Sequence, residues 1–401
     1  MKEEDKGRLQ KHCFQETGWG FIANTRIRKG EVILDIPKDI MVTTATVLQS
    51  PVGKAVEVCV EDGVDALAIY LLFIRSLKED SDRYCYVQKL PTSFSTPIYW
   101  DQQTLNELQD HQQIDKIKKQ RKELGGNYER LLGLFKEKGF CPGIISLDWF
   151  SEMDYLWAWN CVMTRSVFAN TKSKIIKRFN KDTTHVALIP FADFLNHSNQ
   201  VETKGVYNVT TNSFQITTLN DIEKDNEIFI HYGSHNNDVF LEVYGFVIDA
   251  NVNDVAYLKV NLEGVSEEKI EFLAGFNLIS DKYEVNMDGI GWNLLSVLRI
   301  AFSSEDELPL WNNILDDNII SIKNEKLVWE YIEKECSTLL NGMATTLEED
   351  EALLKQQIYF SNYKTAILWR KNKKRILQAL KQTALQQINK FTTSHFPLLY
   401  Q

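Results

Sequence analysis

Two periodicities divide this chain. Between residues 18 and 48 the apolar positions come in short blocks, the spacing of strands. Gly18 to Ala23 leads through a polar turn at Arg28-Lys29-Gly30 into Val32 to Ile36, and the two blocks predict a hairpin. Pro37 ends the second block because it cannot donate to a strand ladder. From about 64 to 163 the period turns helical: Val64 to Leu77 is apolar, Gln103 to Glu123 polar, Asn127 to Lys138 amphipathic, and Asp148 to Met163 rich in aromatics. Trp149, Phe150, Tyr155, Trp157 and Trp159 read as core. Strand spacing returns over 185–232: Val186 to Ile189, a hairpin of Gly205 to Thr210 with Phe214 to Thr217, and Glu227 to Tyr232 ending at Gly233. A helix over Asp238 to Tyr244 follows. Beyond about 255 the pattern predicts helices almost throughout, at 267–276, 292–302, 326–340 and 346–391. Thr346-Leu347-Glu348-Glu349 fits a capping box. With no Gly or Pro from Ala344 to His395, the last stretch is one long helix or two parted at a polar point. Strand blocks that bracket a helical block argue for an α+β fold, not a doubly wound sheet.

Composition sharpens this picture. A chain of 401 residues exceeds one ordinary core, so two domains are expected. With 44% hydrophobic and 25% charged residues it reads as a folded soluble protein. A net charge of -10 argues against non-specific nucleic-acid binding, and no apolar run reaches the ~20 residues of a membrane span. The six cysteines, Cys13, Cys59, Cys85, Cys141, Cys161 and Cys336, form no C-x-x-C pair, so they read as reduced, buried thiols and not as zinc ligands. Met1 to Lys11 is charged and polar, unlike a signal peptide, and the expected location is cytoplasm, nucleus or both. Arg370-Lys371-Asn372-Lys373-Lys374-Arg375 reads as a solvated helix face. A monomer is expected.

Common machineries are absent from the sequence. There is no G-x-G-x-x-G after a strand, no phosphate loop of the G-x-x-x-x-G-K type and no G-x-S-x-G elbow. Of the seven histidines, His231 and His235 alone share the i, i+4 spacing, and they do so across a strand end, where metal ligation is a poor prospect. His197 with Asp193 offers an acid/base pair, although a structural histidine is the more economical reading. Gly18-Trp19-Gly20 lets a backbone approach a ligand closely. Taken alone, it is an ordinary glycine turn. Arg165 follows the aromatic helix, and Asp193-Phe194-Leu195-Asn196-His197-Ser198 packs polar groups against an apolar run.

In order and spacing, Gly18-Trp19-Gly20, Thr164-Arg165, Asp193 to Ser198, Tyr232-Gly233 and Tyr244-Gly245-Phe246 resemble the SET-domain protein methyltransferases. Within them the chain is similar to the branch of plant Rubisco large-subunit lysine methyltransferase. That resemblance implies a β-rich SET domain over 1–250, with a pseudoknot of short strands and a helical insertion at about 60–150. An all-α substrate-binding domain over 255–401 follows. It also implies S-adenosylmethionine as cofactor and a lysine of a protein as acceptor. Tyr232 and Tyr244 would be the catalytic residues. Thr17, Gly18, Trp19, Arg165, Asn196, His197, Tyr232 and Phe246 would hold the cofactor. Arg165, Asp193 and Tyr244 would meet the substrate, and no metal is called for. Val167 stands where a histidine-directed relative carries asparagine, which favours lysine. A histone tail or other basic segment suits the -10 charge. The alternatives are histidine methylation and a SET-like binding module without catalysis; the tyrosines, Asn196 and His197 speak against the second.

Overall fold

The computed structural model describes residues 7–139, 147–170, 185–356 and 361–393. The chain forms two compact units, one of residues 1–99, 115–234 and 242–245, the other of 100–114, 235–241 and 246–401.

The strands of the first unit are short: β1 (Leu9–Phe14), β2 (Gly18–Ala23), β3 (Val32–Pro37), β4 (Val42–Thr43), β5 (Ser166–Phe168), β6 (Val186–Leu188), β7 (Asn196–His197), β8 (Thr203–Asn208), β9 (Ser213–Thr218) and β10 (Phe229–Ile230). They pair as β1-β2, β3-β9-β8 and β4-β6-β5, all antiparallel, and as a parallel β7-β10 pair. The β8-β9 hairpin stands where its alternation predicts it. The expected β2-β3 hairpin does not form. Instead β2 folds back on β1, with Phe14 opposite Gly18, and β3 pairs with β9. Ile33, Leu34, Asp35 and Ile36 are buried in succession, so β3 is covered on both faces, which a two-stranded hairpin cannot provide. The loop between β2 and β3 is instead clamped by reciprocal backbone bonds between Ile27 and Ile222, at 2.9 and 2.8 Å. Ile27, Leu34, Ile36, Ile189, Leu195 and Ile228 centre this core.

A second core fills the helical insertion. Gly63–Leu77 is buried on every side from Gly63 to Ile74, as expected of a helix apolar all round. Asp62 caps it, its side chain accepting from the Val64 amide at 2.7 Å. The two predicted helices at 103–123 and 127–138 are replaced by a short one, Gln102–Asn106, and a long one, His111–Lys138, which runs straight through Gly125 and Gly126. Glu152–Arg165 packs against Gly63–Leu77; Phe150 and Tyr155 are buried, and Trp149, Trp157 and Trp159 lie partly buried on the same core.

The second unit is mainly helical, with Glu267–Gly275, Trp292–Phe302, Ile322–Asn341, Leu347–Gln356 and Asn362–Thr393. The Thr346 capping box is present in both directions, at 2.7 and 3.2 Å. Where helices alone were expected, the unit also carries an antiparallel sheet of β11 (Ala256–Leu258), β12 (Tyr283–Asn286) and β13 (Gly289–Ile290). Each strand is too short for its alternation to stand out in the sequence.

The basic run is not a solvated face. Arg370, Lys371, Lys373 and Lys374 are all buried. Each meets acids distant in sequence: Arg370 binds Glu107 at 2.7 Å and Asp350 at 2.8 Å, Lys371 binds Asp249 at 2.8 Å, Lys373 binds Asp238 at 2.8 Å and Asp254 at 3.1 Å, and Lys374 binds Asp350 at 2.5 Å. Pairing makes the burial tolerable. The thiols also depart from expectation. Cys59, Cys161 and Cys336 are buried, but Cys13 and Cys85 are exposed, and Cys141 lies outside the described residues.

Candidate active site

Two clusters of side chains in the first unit meet at β7 and β10. The first is built on the β1-β2 turn. Gly18 has φ +74°, a conformation that costs a side-chain-bearing residue energy, and it turns the chain into β2. A Cβ at Gly20 would lie 2.8 Å from both Asn196 Nδ2 and Glu227 Oε1, so this glycine makes room for those two groups. Thr17 Oγ1 donates to Glu227, 2.9 and 2.7 Å from its two oxygens. Asn196 Nδ2 donates to Glu227 Oε1 at 2.7 Å and to the Trp19 carbonyl at 3.3 Å. The Trp19 ring is 57% exposed, with Lys11 Nζ over it at 4.3 Å.

The second cluster carries the tyrosines. The Tyr232 hydroxyl donates to the Leu195 carbonyl at 2.8 Å, and its ring lies 5.0 Å from that of Tyr244. His197 Nδ1 accepts from the Tyr232 amide at 3.0 Å, so a neutral ring carries its proton on Nε2, which faces Asn199 Oδ1 at 2.8 Å. His197 thus supports Tyr232 and is not paired with Asp193. Arg165, at the end of its helix, donates from Nη1 to the Asp193 carbonyl at 2.7 Å and lies 3.4 Å from Asp193 Oδ2. The Tyr86 hydroxyl donates to the same Oδ2 at 2.9 Å. Arg165, Asp193, Tyr232 and Tyr244 border a cavity of about 360 Å³, lined also by Val167, Thr203 and Ile230.

Burial governs the electrostatics. It raises the Asp193 carboxyl, against the opposing pull of Arg165 and the Tyr86 hydrogen bond. It also pushes the Tyr232 and Tyr244 phenols up, and both stay neutral at physiological pH. Among the described residues, the Asp193 Oδ1 and Arg165 Nε atoms are buried with no hydrogen-bond partner. Leaving such groups unmet is costly, which makes this a polar and energetically expensive point in the site.

Of the residues singled out in the sequence, Thr17, Gly18, Trp19 and Asn196 come together on the first side, and His197 joins the second through the Tyr232 amide. Arg165, Asp193, Tyr232 and Tyr244 gather on the second. Phe246 belongs to the second unit, where its ring stacks on Phe240 at 5.0 Å. Two residues escaped the sequence reading. In the sequence Glu227 is marked only as the start of a strand, and Tyr86 falls within the helical insertion. Neither lies near its partners in sequence, and no motif marks them.

Comparison with known families agrees with this geometry. A model of the SET domain matches residues 18–233, and one described as Rubisco LSMT substrate-binding matches residues 264–377. The chain belongs to the SET-domain family, a class of S-adenosylmethionine-dependent methyltransferases. Among its relatives, human SET domain-containing protein 4 is 28% identical over 365 residues, covering 86% of this chain and 81% of the relative. Human actin-histidine N-methyltransferase is 29% identical over 400 residues; the match takes in 93% of this chain but 65% of that protein's length. The solved SET domain of LSMT bound to lysine and AdoHcy superposes with a TM-score of 0.75 at 19% identity, covering 99% of this chain and 90% of that one. Rubisco LSMT bound to AdoMet gives 0.73 at 21%, covering 98% and 90%. At such identities the structural likeness establishes the fold.

Proposed function

We propose that this chain transfers a methyl group from S-adenosylmethionine to the side-chain amine of a lysine in a protein substrate. The observation that carries the reading is the cavity lined by the neutral phenols of Tyr232 and Tyr244 together with Val167. Arg165, a cation in the lining of the same cavity, would meet the carboxylate of the cofactor. Thr17, Gly18, Trp19, Asn196 and His197 would hold the remainder. The cofactor, when bound, supplies a methyl already activated on a sulfonium.

The chain's own residues then have to orient the acceptor and keep it neutral. A lysine ammonium, with a usual pKa near ~10.4, has no lone pair. Aromatic walls that exclude water disfavour the charged form and lower that pKa. The Tyr232 hydroxyl spends its proton on Leu195, so its oxygen is left to accept from the amine and aim the lone pair. Alignment of this kind provides much of the rate in a direct displacement.

A basic segment, a histone tail among them, suits the -10 charge of the chain as substrate. Histidine as acceptor is the second reading, favoured by the kinship with actin-histidine N-methyltransferase. The test is transfer of radiolabelled methyl from S-adenosylmethionine into lysate proteins, wild type against Tyr232→Phe, followed by amino-acid analysis of the product. Methyllysine absent from Tyr232→Phe is expected. Methylhistidine would replace the lysine reading, and no label with wild type would remove both.

A further inference from the structure

We propose that Glu227 is a positioning residue of the cofactor site, setting which face of the Asn196 amide meets the ligand; this rests on the proposed methyl-donor reading. An Asn side chain has one donor end and one acceptor end, nearly identical in shape, and its environment decides which way it points. A carboxylate can only accept. Glu227 Oε1 lies 2.7 Å from the Asn196 amide nitrogen, and the Trp19 carbonyl, also an acceptor only, lies 3.3 Å from the same nitrogen. Both protons of the NH2 group are therefore directed to the protein. The other end of the amide, Oδ1, is what Asn196 offers to a ligand, so the group recognised there is a donor, an amine or ammonium.

Glu227 is itself fixed for this task. Thr17 Oγ1 contacts both of its oxygens, Ile22 bridges to its backbone, and the missing Cβ of Gly20 leaves room for its carboxylate. One carboxylate thereby ties together the β1-β2 turn, β7 and the segment entering β10. A flipped amide would turn NH2 toward the ligand donor, setting like against like at the cost of one charge-assisted hydrogen bond.

The test is direct binding of S-adenosylmethionine by calorimetry, paired with steady-state kinetics. Glu227→Ala is expected to weaken cofactor binding about tenfold, the loss of one hydrogen bond to a charged group. Its kcat at saturating cofactor should stay within about twofold of wild type. Asn196→Asp sets two carboxylates against each other and should lose binding. Asn196→Asp combined with Glu227→Gln restores a donor between the two positions and an acceptor toward the ligand, and should recover most of the loss. A merely structural Glu227 would not give that rescue. Glu227→Ala binding as tightly as wild type, or a double variant no better than Asn196→Asp, overturns the proposal; the double variant alone decides if Glu227→Ala does not fold. Failure of wild type to bind S-adenosylmethionine would instead remove the proposed function.

Discussion

Asp350 offers the sharpest test of the buried charges in the second unit. Its side chain is fully buried and holds Arg370 Nε at 2.9 Å, Lys374 Nζ at 2.5 Å and Thr345 Oγ1 at 2.8 Å. Asp350→Asn removes the charge but keeps the shape. Among the described residues, Arg370 then still has the Glu107 carboxylate at 2.7 Å, whereas Lys374 is left with neutral acceptors, the Thr345 hydroxyl at 2.8 Å and the new amide oxygen. Removing one partner of a buried pair costs about 3–5 kcal/mol. Burial already lowers the Lys374 pKa, so Lys374 can shed its proton, which sets the cost near the lower end, about 3 kcal/mol. Lys374→Met should cost less, because Asp350 keeps Arg370. The double variant should fall short of the sum of the singles by about 1–3 kcal/mol, the mark of coupled sites. Urea unfolding followed by circular dichroism measures each, in low salt and in about 0.5 M NaCl, where a buried pair is little screened. A loss within about 0.5 kcal/mol for Asp350→Asn is what a solvated surface gives, and would refute the reasoning.

Gly20→Ala should weaken cofactor binding by at least about tenfold, since its Cβ would collide at 2.8 Å with Asn196 and Glu227; calorimetry checks it. Tyr232→Phe should lower kcat by about a hundredfold with little change in cofactor affinity, because it removes an oxygen that aims the amine, as single-turnover methyl transfer would report. Val167→Asn should raise the share of methylhistidine among labelled products, read by amino-acid analysis; an unchanged share would detach acceptor choice from that wall. Burial pushes the Cys161 and Cys336 thiols up to about 12. In native protein at about pH 8 a thiol reagent should therefore modify Cys13 and Cys85 and spare these two. Because the folded values lie above the unfolded one, the two thiols support the fold below the unfolded pKa, and that support is lost as pH rises from there toward about 12. Alkaline unfolding of Cys161→Ala and Cys336→Ala should accordingly be less steep.

The long helices were legible because a buried stripe or a wholly apolar run repeats over many residues. Gly63–Leu77 and Trp292–Phe302 stand within a residue of their expected limits. β1 was missed because Gln10 to Cys13 are exposed, leaving no alternation to read. The charges of 370–374 misled for a different reason. Charge normally signals water, and the acids that override it come from Glu107, Asp238, Asp249, Asp254 and Asp350, whose approach only the tertiary fold provides. The site was legible where a motif carried the residue, as at Asn196-His197 and Tyr232. It was illegible where a residue serves another one, as Glu227 serves Asn196 and Tyr86 serves Asp193.

The turn that delivers Tyr244 has one consequence of its own. Phe240–Tyr244 is wound as a π-helix, a wider turn than the α-helical residues Asn237–Val239 before it. Each residue of an ordinary α-helix advances the side-chain direction by about 100°. Rewinding the same residues as an α-helix, with none added or removed, would turn the Tyr244 ring away from its 5.0 Å approach to Tyr232 even with every side chain unchanged. At this point the site is specified by the winding of the backbone as much as by the identity of its residues.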